Sequence, residues 1–401
     1  SGRDRWQLAT SAEFNDLQLK FRPSPLPFDL QAGRLKILSR RSEDIRENRI
    51  DLDSSKLAWG DSRLTGTGRF IWSSPELSLD LDLRAALIEW ERIRDLMELL
   101  PETQETSSGR KTTGTIRLAA GQFRYPPFTW QPLEADIDFG PENVQIDVKR
   151  AYLCGVSTPG TLRFGDRKVE LRLNPSAGEQ NLEPVIVCLT EDRSQISGTF
   201  TLESAIQASQ RPKKLPRSLE GELALNSREG RISRFGLLAK IFSLLNVTEI
   251  YRGQVPELGG EGFPYTSMTI TAEIRRGKLY MKECSVDAPS MGLACEGDID
   301  LVDREMDIVI LVAPFRTVDR IVKFLPVIGS VLGGNLVSIP FRAKGDWDDY
   351  TVIPLSPTAV GSGVMGLMER TLRLPITLIQ PLFSKPEEET PPEPSKQSDG
   401  P

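Results

Sequence analysis

The chain has 401 residues, 39% of them hydrophobic, which allows one to three domains with a sizeable core. Its net charge is −6 and no long Lys/Arg run occurs, so neither nucleic acid nor an anionic membrane surface fits as an electrostatic partner. Histidine is absent, which removes Ser-His-Asp and Cys-His catalysis and the commonest zinc ligand, but not carboxylate or lysine chemistry.

The sequence begins at Ser1 rather than Met, so a processed or partial chain is expected, with any membrane anchor upstream of it. Residues 1–50 read as N-terminal strands or a linker. A repeated strand segment follows over 51–217. Its clearest stretch is Leu79-Asp-Leu-Asp-Leu83, and Ile137-Asp-Phe139, Val144-Gln-Ile-Asp-Val148 and Val169-Glu-Leu-Arg-Leu173 repeat the pattern. Period two puts apolar side chains on one face of a strand and polar ones on the other. Between these strands, Ala85 to Leu100 has helical composition, and a helix is expected there.

A short motif of glycine, a small or charged residue, then alternating apolar residues recurs at irregular spacing. It starts at Gly114, Gly160, Gly198, Gly221 and Gly297, with related starts at Gly68, Gly230 and Gly277. These glycines read as turn residues opening successive strands of hairpins. Residues 218–358 form a second segment. Ser233 to Leu245 predicts an amphipathic helix with Phe235, Leu238, Phe242 and Leu245 on one stripe. Met268 to Ile274, Ile299 to Leu301 and Met306 to Val312 predict further strands, and Val318 to Leu325 a short helix. Phe324 to Phe341 runs 18 residues without a charge, but Pro326, Gly329, Gly333, Gly334 and Pro340 favour helix, turn and strand over a membrane span. Asp346, Asp348 and Asp349 read as a charged turn rather than a calcium loop.

Residues 359–384 are an apolar helical segment broken by Pro375 and Pro381. Its Gly361-Ser-Gly363-Val-Met-Gly366 matches a dinucleotide fingerprint only in letters, because no second strand and acidic partner follow it. Residues 385–401 are a polar, Pro-rich tail for which disorder is expected. With few helical crossovers, the fold class is mainly β: a long, curled, largely antiparallel sheet, trough-like, with a few amphipathic helices.

The four cysteines, Cys154, Cys188, Cys284 and Cys295, form no CxxC. Cys284 and Cys295 flank a turn-like stretch, as on two neighbouring strands. A disulfide there and one between Cys154 and Cys188 would fit an oxidising periplasm; the alternative is four buried thiols.

From about Ser218 to Pro357 the chain resembles the C-terminal module of AsmA-like envelope proteins. The resemblance rests on an ordered run: Gly221-Glu-Leu-Ala-Leu225, Gly230-Arg-Ile-Ser-Arg-Phe235, the Leu237 to Leu245 helix, Gly262-Phe-Pro-Tyr-Thr266, Gly297-Asp-Ile-Asp-Leu301, Pro326-Val-Ile-Gly329 and Gly345-Asp-Trp347. It implies a long curled sheet with an apolar inner channel, bridging the inner and outer membranes of Gram-negative cells and carrying phospholipid. It also implies inner-membrane anchoring by an N-terminal helix that this chain does not contain, with no fixed catalytic residues.

A one-sided sheet must cover its apolar face with something, and acyl chains contribute about 0.8 kcal/mol per buried methylene. The expectation is a periplasmic, non-enzymatic segment of a lipid-transfer bridge, without cofactor or metal, whose partners are phospholipid acyl chains, the two membranes and envelope proteins at each end. Its groove residues are expected to be Leu79, Leu81, Leu83, Ile137, Phe139, Ile270, Ile274, Ile308 and Ile310. The rivals are an assembly factor for outer-membrane proteins that pairs through an edge strand, a glycan-active enzyme using two carboxylates, and a structural β-protein without a groove.

Overall fold

The computed structural model describes residues 6–19, 28–42, 45–59, 62–73, 76–91, 111–140, 143–165, 168–190, 195–233, 236–244, 262–289, 291–314, 330–332, 336–356 and 359–373. The expected helix over 318–325 and the tail over 385–401 lie outside them. Strands dominate, as alternation predicts. The first group is β1 (Trp6–Leu19), β2 (Phe28–Ser42), β3 (Ile45–Trp59), β4 (Ser62–Ser73), β5 (Glu76–Glu89), β6 (Lys111–Tyr125), β7 (Phe128–Phe139) and β8 (Val144–Leu153). Next come β9 (Val156–Ser157), β10 (Gly160–Phe164), β11 (Val169–Leu173), β12 (Ser176–Asn181), α1 (Leu182–Thr190), β13 (Gln195–Ile196), β14 (Thr199–Gln210), β15 (Glu220–Ser233) and α2 (Gly236–Leu244). The last are β16 (Phe263–Arg275), β17 (Lys278–Asp287), β18 (Met291–Asp300), β19 (Glu305–Pro314), β20 (Ser330–Leu332), β21 (Leu336–Asp346), β22 (Tyr350–Pro354) and α3 (Ser362–Arg373).

One sheet runs through the molecule. Strands β1 to β8 pair in chain order, then β8 pairs β10, β10 pairs β11 and β11 pairs β14. From β14 the order continues through β15 to β19, then β21 and β22. The pairing of β14 with β15 crosses residues 217 and 218 without a break, joined by two 3-10 turns at Pro212–Lys214 and Pro216–Ser218. Every described pair is antiparallel except β5 with β6, which is parallel.

That parallel pair corrects the start of the helix expected over 85–100. Residues 85–89 are strand, hydrogen-bonded in register with β6 from Ala85↔Ala120 to Glu89↔Arg124; residues 90 and 91 are helical, and 92–100 lie outside the described residues. Ala85 and Ile88 pack against Ala120, with Leu64, Leu118, Phe123 and Leu133 around them, so sheet burial overrides local helical composition.

Of the motif glycines, Gly160, Gly198 and Gly277 open strands as expected, but others do not. Gly114 and Gly297 lie inside β6 and β18, not in turns. Their φ values are +122° and +140°, and a Cβ would sit 1.8 Å from the Leu79 carbonyl oxygen and 2.2 Å from that of Asp307. They are strand residues at sites of close backbone approach.

The polar face carries ion pairs between neighbouring strands. Arg117 on β6 reaches Asp80 at 2.8 Å and Asp82 at 2.7 Å on β5. Lys149 pairs Asp136, and Asp307 on β19 takes both guanidinium arms of Arg342 on β21 at 2.6 Å. Cross-strand pairs of this kind fix register and keep that face wet.

Candidate functional site

The opposite face is the candidate site. Register aligns its apolar side chains in rows perpendicular to the strands. One row is Leu81–Ile116–Ile137–Ile146–Leu162–Leu171, from β5 to β11. Beside it run Leu79–Gly114–Phe139–Val144–Phe164–Val169 and Leu83–Leu118–Ala135–Val148–Gly160–Leu173. The Leu83 row continues through Ile206 and Gly221 to Ile274. The residues alongside it on β15 to β19 include Ile270, Ile308 and Ile310. All nine expected groove residues therefore share one face of one sheet.

They do not share one environment. From β6 to β11 the row of Ile116, Ile137, Ile146, Leu162 and Leu171 is half-buried and belongs to none of the packed clusters; Phe139 and Val148 are like it. Leu79 and Leu81 are buried for a local reason. A neighbouring strand offers each a glycine, Gly114 on β6 for Leu79 and Gly68 on β4 for Leu81, and a Cβ on Gly68 would lie 2.6 Å from Leu81 Cδ2. Leu83, over Gly66, is half-buried.

From β14 onward most of the same face is packed, with Ile206, Leu223 and Leu279 left half-buried outside the clusters. Phe200, Ile232, Phe263, Tyr265, Met268, Val312 and Phe341 form one core cluster with Ile308 and Ile310, and Ile270 packs against it. Ile274 is buried as well. Two helices add to the packing. Helix α1 contributes Leu182 and Val185, and α2 contributes Leu238 and Ile241, the latter fully buried. Of the stripe expected on α2, Leu238 faces the core; Phe235 and Leu245 lie outside the described residues, as does the side chain of Phe242.

Near one rim the buried side slips by one residue in three strands. Burial passes from Ala85 to Ile88 in β5, from Ser227 to Gly230 in β15, and from Met268 to Tyr265 in β16. The slip keeps Ile88, Ile232, Phe263 and Tyr265 on the apolar side. Tyr265 lies over Gly230 and Gly198, and its hydroxyl donates to the Ser197 carbonyl at 2.7 Å while 2.7 Å from Ser227 Oγ. Burial raises its pKa above the usual phenol value.

Disulfides join Cys154 to Cys188 and Cys284 to Cys295. The first ties the turn between β8 and β9 to the last turn of α1. The second lies between β17 and β18 on the apolar side, where Cys284 registers with Ile270 and Cys295 with Ile310. A third helix, α3, packs on the other face of β18 and β19 through Val364, Leu367 and Met368 against Ala294, Leu311 and Ala313. That explains why Ile308 to Ala313 is an unbroken apolar run: both of its faces are covered. The Glu296 carboxylate accepts from Val364 N–H at 3.1 Å, an anion at a helix N-terminus. The Gly361 to Gly366 stretch is thus the start of α3, and a Cβ on Gly361 would meet Glu296 Oε1 at 2.7 Å.

The polar face holds a concavity of about 700 Å³ over β3 to β8, lined by Lys56, Asp82, Arg84, Arg117, Glu134, Asp136 and Lys149. Arg117, Asp136, Lys149 and Glu134 are engaged in ion pairs with one another or with neighbouring strands, so it lacks a concentrated charge of one sign. Asp346 to Asp349 form a tight turn, with Asp348 N–H donating to Asp346 Oδ1 at 2.9 Å. No described helix is long and apolar enough to cross a membrane.

These features define a class: a β-sheet protein whose apolar face is, among the described residues, only partly packed. Residues 134–349, more than half of the chain, match the family described as YhdP protein, and the chain belongs to that family. The family is related to AsmA-like bacterial envelope proteins, which places the chain in an envelope-protein family. No curated protein and no solved structure matches the chain.

Proposed function

We propose that this chain is a periplasmic segment of a bridge that carries phospholipid between the inner and outer membranes, with acyl chains lying along the apolar rows of β5 to β11. The observation that carries the reading is one row across six adjacent strands, in which Ile116, Ile137, Ile146, Leu162 and Leu171, half-buried and outside every packed cluster, follow Leu81. At about 4.8 Å per strand the row is on the order of 24 Å long. Its contacts are apolar and nearly equivalent, so a chain bound there slides rather than docks. The reaction class is transfer without chemistry; no catalytic group, cofactor or metal is invoked. Two disulfides support an oxidising compartment.

Ile308 and Ile310 are core residues in this reading, and the packed half is the end piece that terminates the groove. Ile137, Phe139 and Ile146 take the role of acyl contacts. A photo-reactive residue at Ile146 should cross-link phospholipid in cells, and one at Ile308 should not. Organic extracts of the purified chain should contain near-stoichiometric phospholipid by mass spectrometry. A lipid-free protein with no lipid adduct at Ile146 would rule the bridge out.

A further inference from the structure

Helix α1 is built like a hinged flap. Its N-terminal end is pinned to the sheet: Leu182 N–H donates to the Gly198 carbonyl at 2.9 Å, and Asn181 Oδ1 accepts from Glu183 N–H at 3.2 Å. Its C-terminal end is tied covalently, through Cys188, to Cys154 in the β8–β9 turn. Between these points Val185 is buried in the core cluster and Ile186 packs against it. The outer side is apolar too, with Val187 46% and Leu189 40% exposed. A helix apolar all round normally sits inside a protein; this one faces water on one side. It also stands at a border in the sheet. The strands before it, to β11, hold the half-buried rows, and Phe200 on β14 opens the packed core.

We infer that the Cys154–Cys188 disulfide is a redox latch and α1 the flap it holds shut over the rim of the packed core. Cys188 is exposed, whereas Cys284 and Cys295 are both half-buried on the apolar side, so an external dithiol reaches the first bond more readily. One thiolate of the dithiol attacks Cys188 Sγ, the S–S bond breaks, and Cys154 leaves as a thiolate that takes up a proton. The second thiol of the reductant resolves the mixed disulfide, leaving Cys188 reduced and the reductant as its own disulfide. Two electrons pass, and α1 is then held by its N-terminal pins, by the burial of Leu182, Val185 and Ile186 and by its packing on β13. Swinging about Asn181–Leu182 uncovers the part of the core on which Val185 and Ile186 pack and opens the apolar interior of the end piece. The passage of lipid through that opening rests on the reading proposed above; the latch itself does not.

The test uses the full chain and a dithiothreitol titration with three readouts. Differential alkylation and mass spectrometry report which cysteines open. Hydrogen exchange follows the amides of residues 182–190, and an environment-sensitive fluorescent fatty acid reports apolar access. Cys154 and Cys188 should open first, the α1 amides should exchange at least tenfold faster, and reoxidation should restore protection. Probe fluorescence should rise severalfold with opening. The double variant Cys154→Ser/Cys188→Ser should behave as reduced protein without reductant, and Cys284→Ser/Cys295→Ser should remain latched. If the first double variant fails to fold, the reversible cycle on the unaltered chain still decides. Equal protection of 182–190 in oxidised and reduced protein overturns the latch. Faster exchange with no probe uptake in either state upholds the latch and removes the lipid reading instead.

Discussion

Gly114 and Gly366 show how differently one residue type serves this chain. Gly114 has φ +122°, and a Cβ there would run into the Leu79 carbonyl at 1.8 Å, so the parallel β5–β6 pairing depends on its absence. Gly114→Ala should cost on the order of 3 kcal/mol, from backbone strain and the forced separation of the two strands. Gly366 sits inside α3, and a Cβ added there would meet nothing within 4 Å. Gly366→Ala should stabilise by about 0.5–1 kcal/mol, through helix propensity and a less flexible unfolded chain. Urea denaturation of the two variants should move the midpoint in opposite directions. Asp300 is a second informative residue, with its side chain 5% exposed. Burial alone would raise its pKa. The Asp303 and Val302 N–H groups, both 3.0 Å from Oδ1, and the Arg217 guanidinium reverse this and hold it down to about 2. A carboxyl depressed in the folded state stabilises above its unfolded pKa, and that contribution fades as pH falls from about 4 through 2. Asp300→Asn should therefore flatten the loss of stability between pH 4 and pH 2, read from urea midpoints at each pH.

At the scale of elements, strict alternation made the sheet legible. Leu79 to Leu83, Ile137 to Phe139 and Val144 to Val148 are strands, and their apolar residues fall on one side because a pleat has period two. What failed was local preference set against distant pairing. Ala85 to Glu89 has helix-forming composition, yet β6 pairs with it over its whole length, and nothing nearby in sequence announces a parallel partner. The glycine motif was visible as a repeat but not as strand interior, since only the neighbouring backbone reveals the close approach at Gly114 and Gly297. α3 was expected as an apolar helix, while its seat on the polar side of β18 and β19 depends on Ala294, Leu311 and Ala313, three positions whose role emerges only once the strands are paired.

For the molecule as a whole, the two halves of one apolar face answer to different physics. Alternation cannot tell them apart, because Ile137 and Ile308 occupy equivalent positions in similar strands; α1, α2 and the packing of β14 to β21 decide that one is half-buried outside any cluster and the other is buried in the core. A single charge placed in each half should separate transport from folding. Ile310→Asp puts a carboxylate among Val312, Phe341 and their neighbours, where no described cation faces it. It should cost at least about 4 kcal/mol, or force the carboxyl to stay neutral, and thermal melting should show a large drop. Ile146→Asp replaces a half-buried side chain that water already reaches, so the fold should survive with a loss on the order of 1 kcal/mol. It interrupts the Leu81 to Leu171 row at its middle with a group that an acyl chain cannot solvate. If lipid slides along that row, Ile146→Asp should abolish lipid cross-linking at Leu162 or at Ile116, on the side away from the entry point, while leaving the melting temperature within a few degrees. Unchanged cross-linking on both sides of residue 146 would mean that lipid, if bound at all, does not travel along this face.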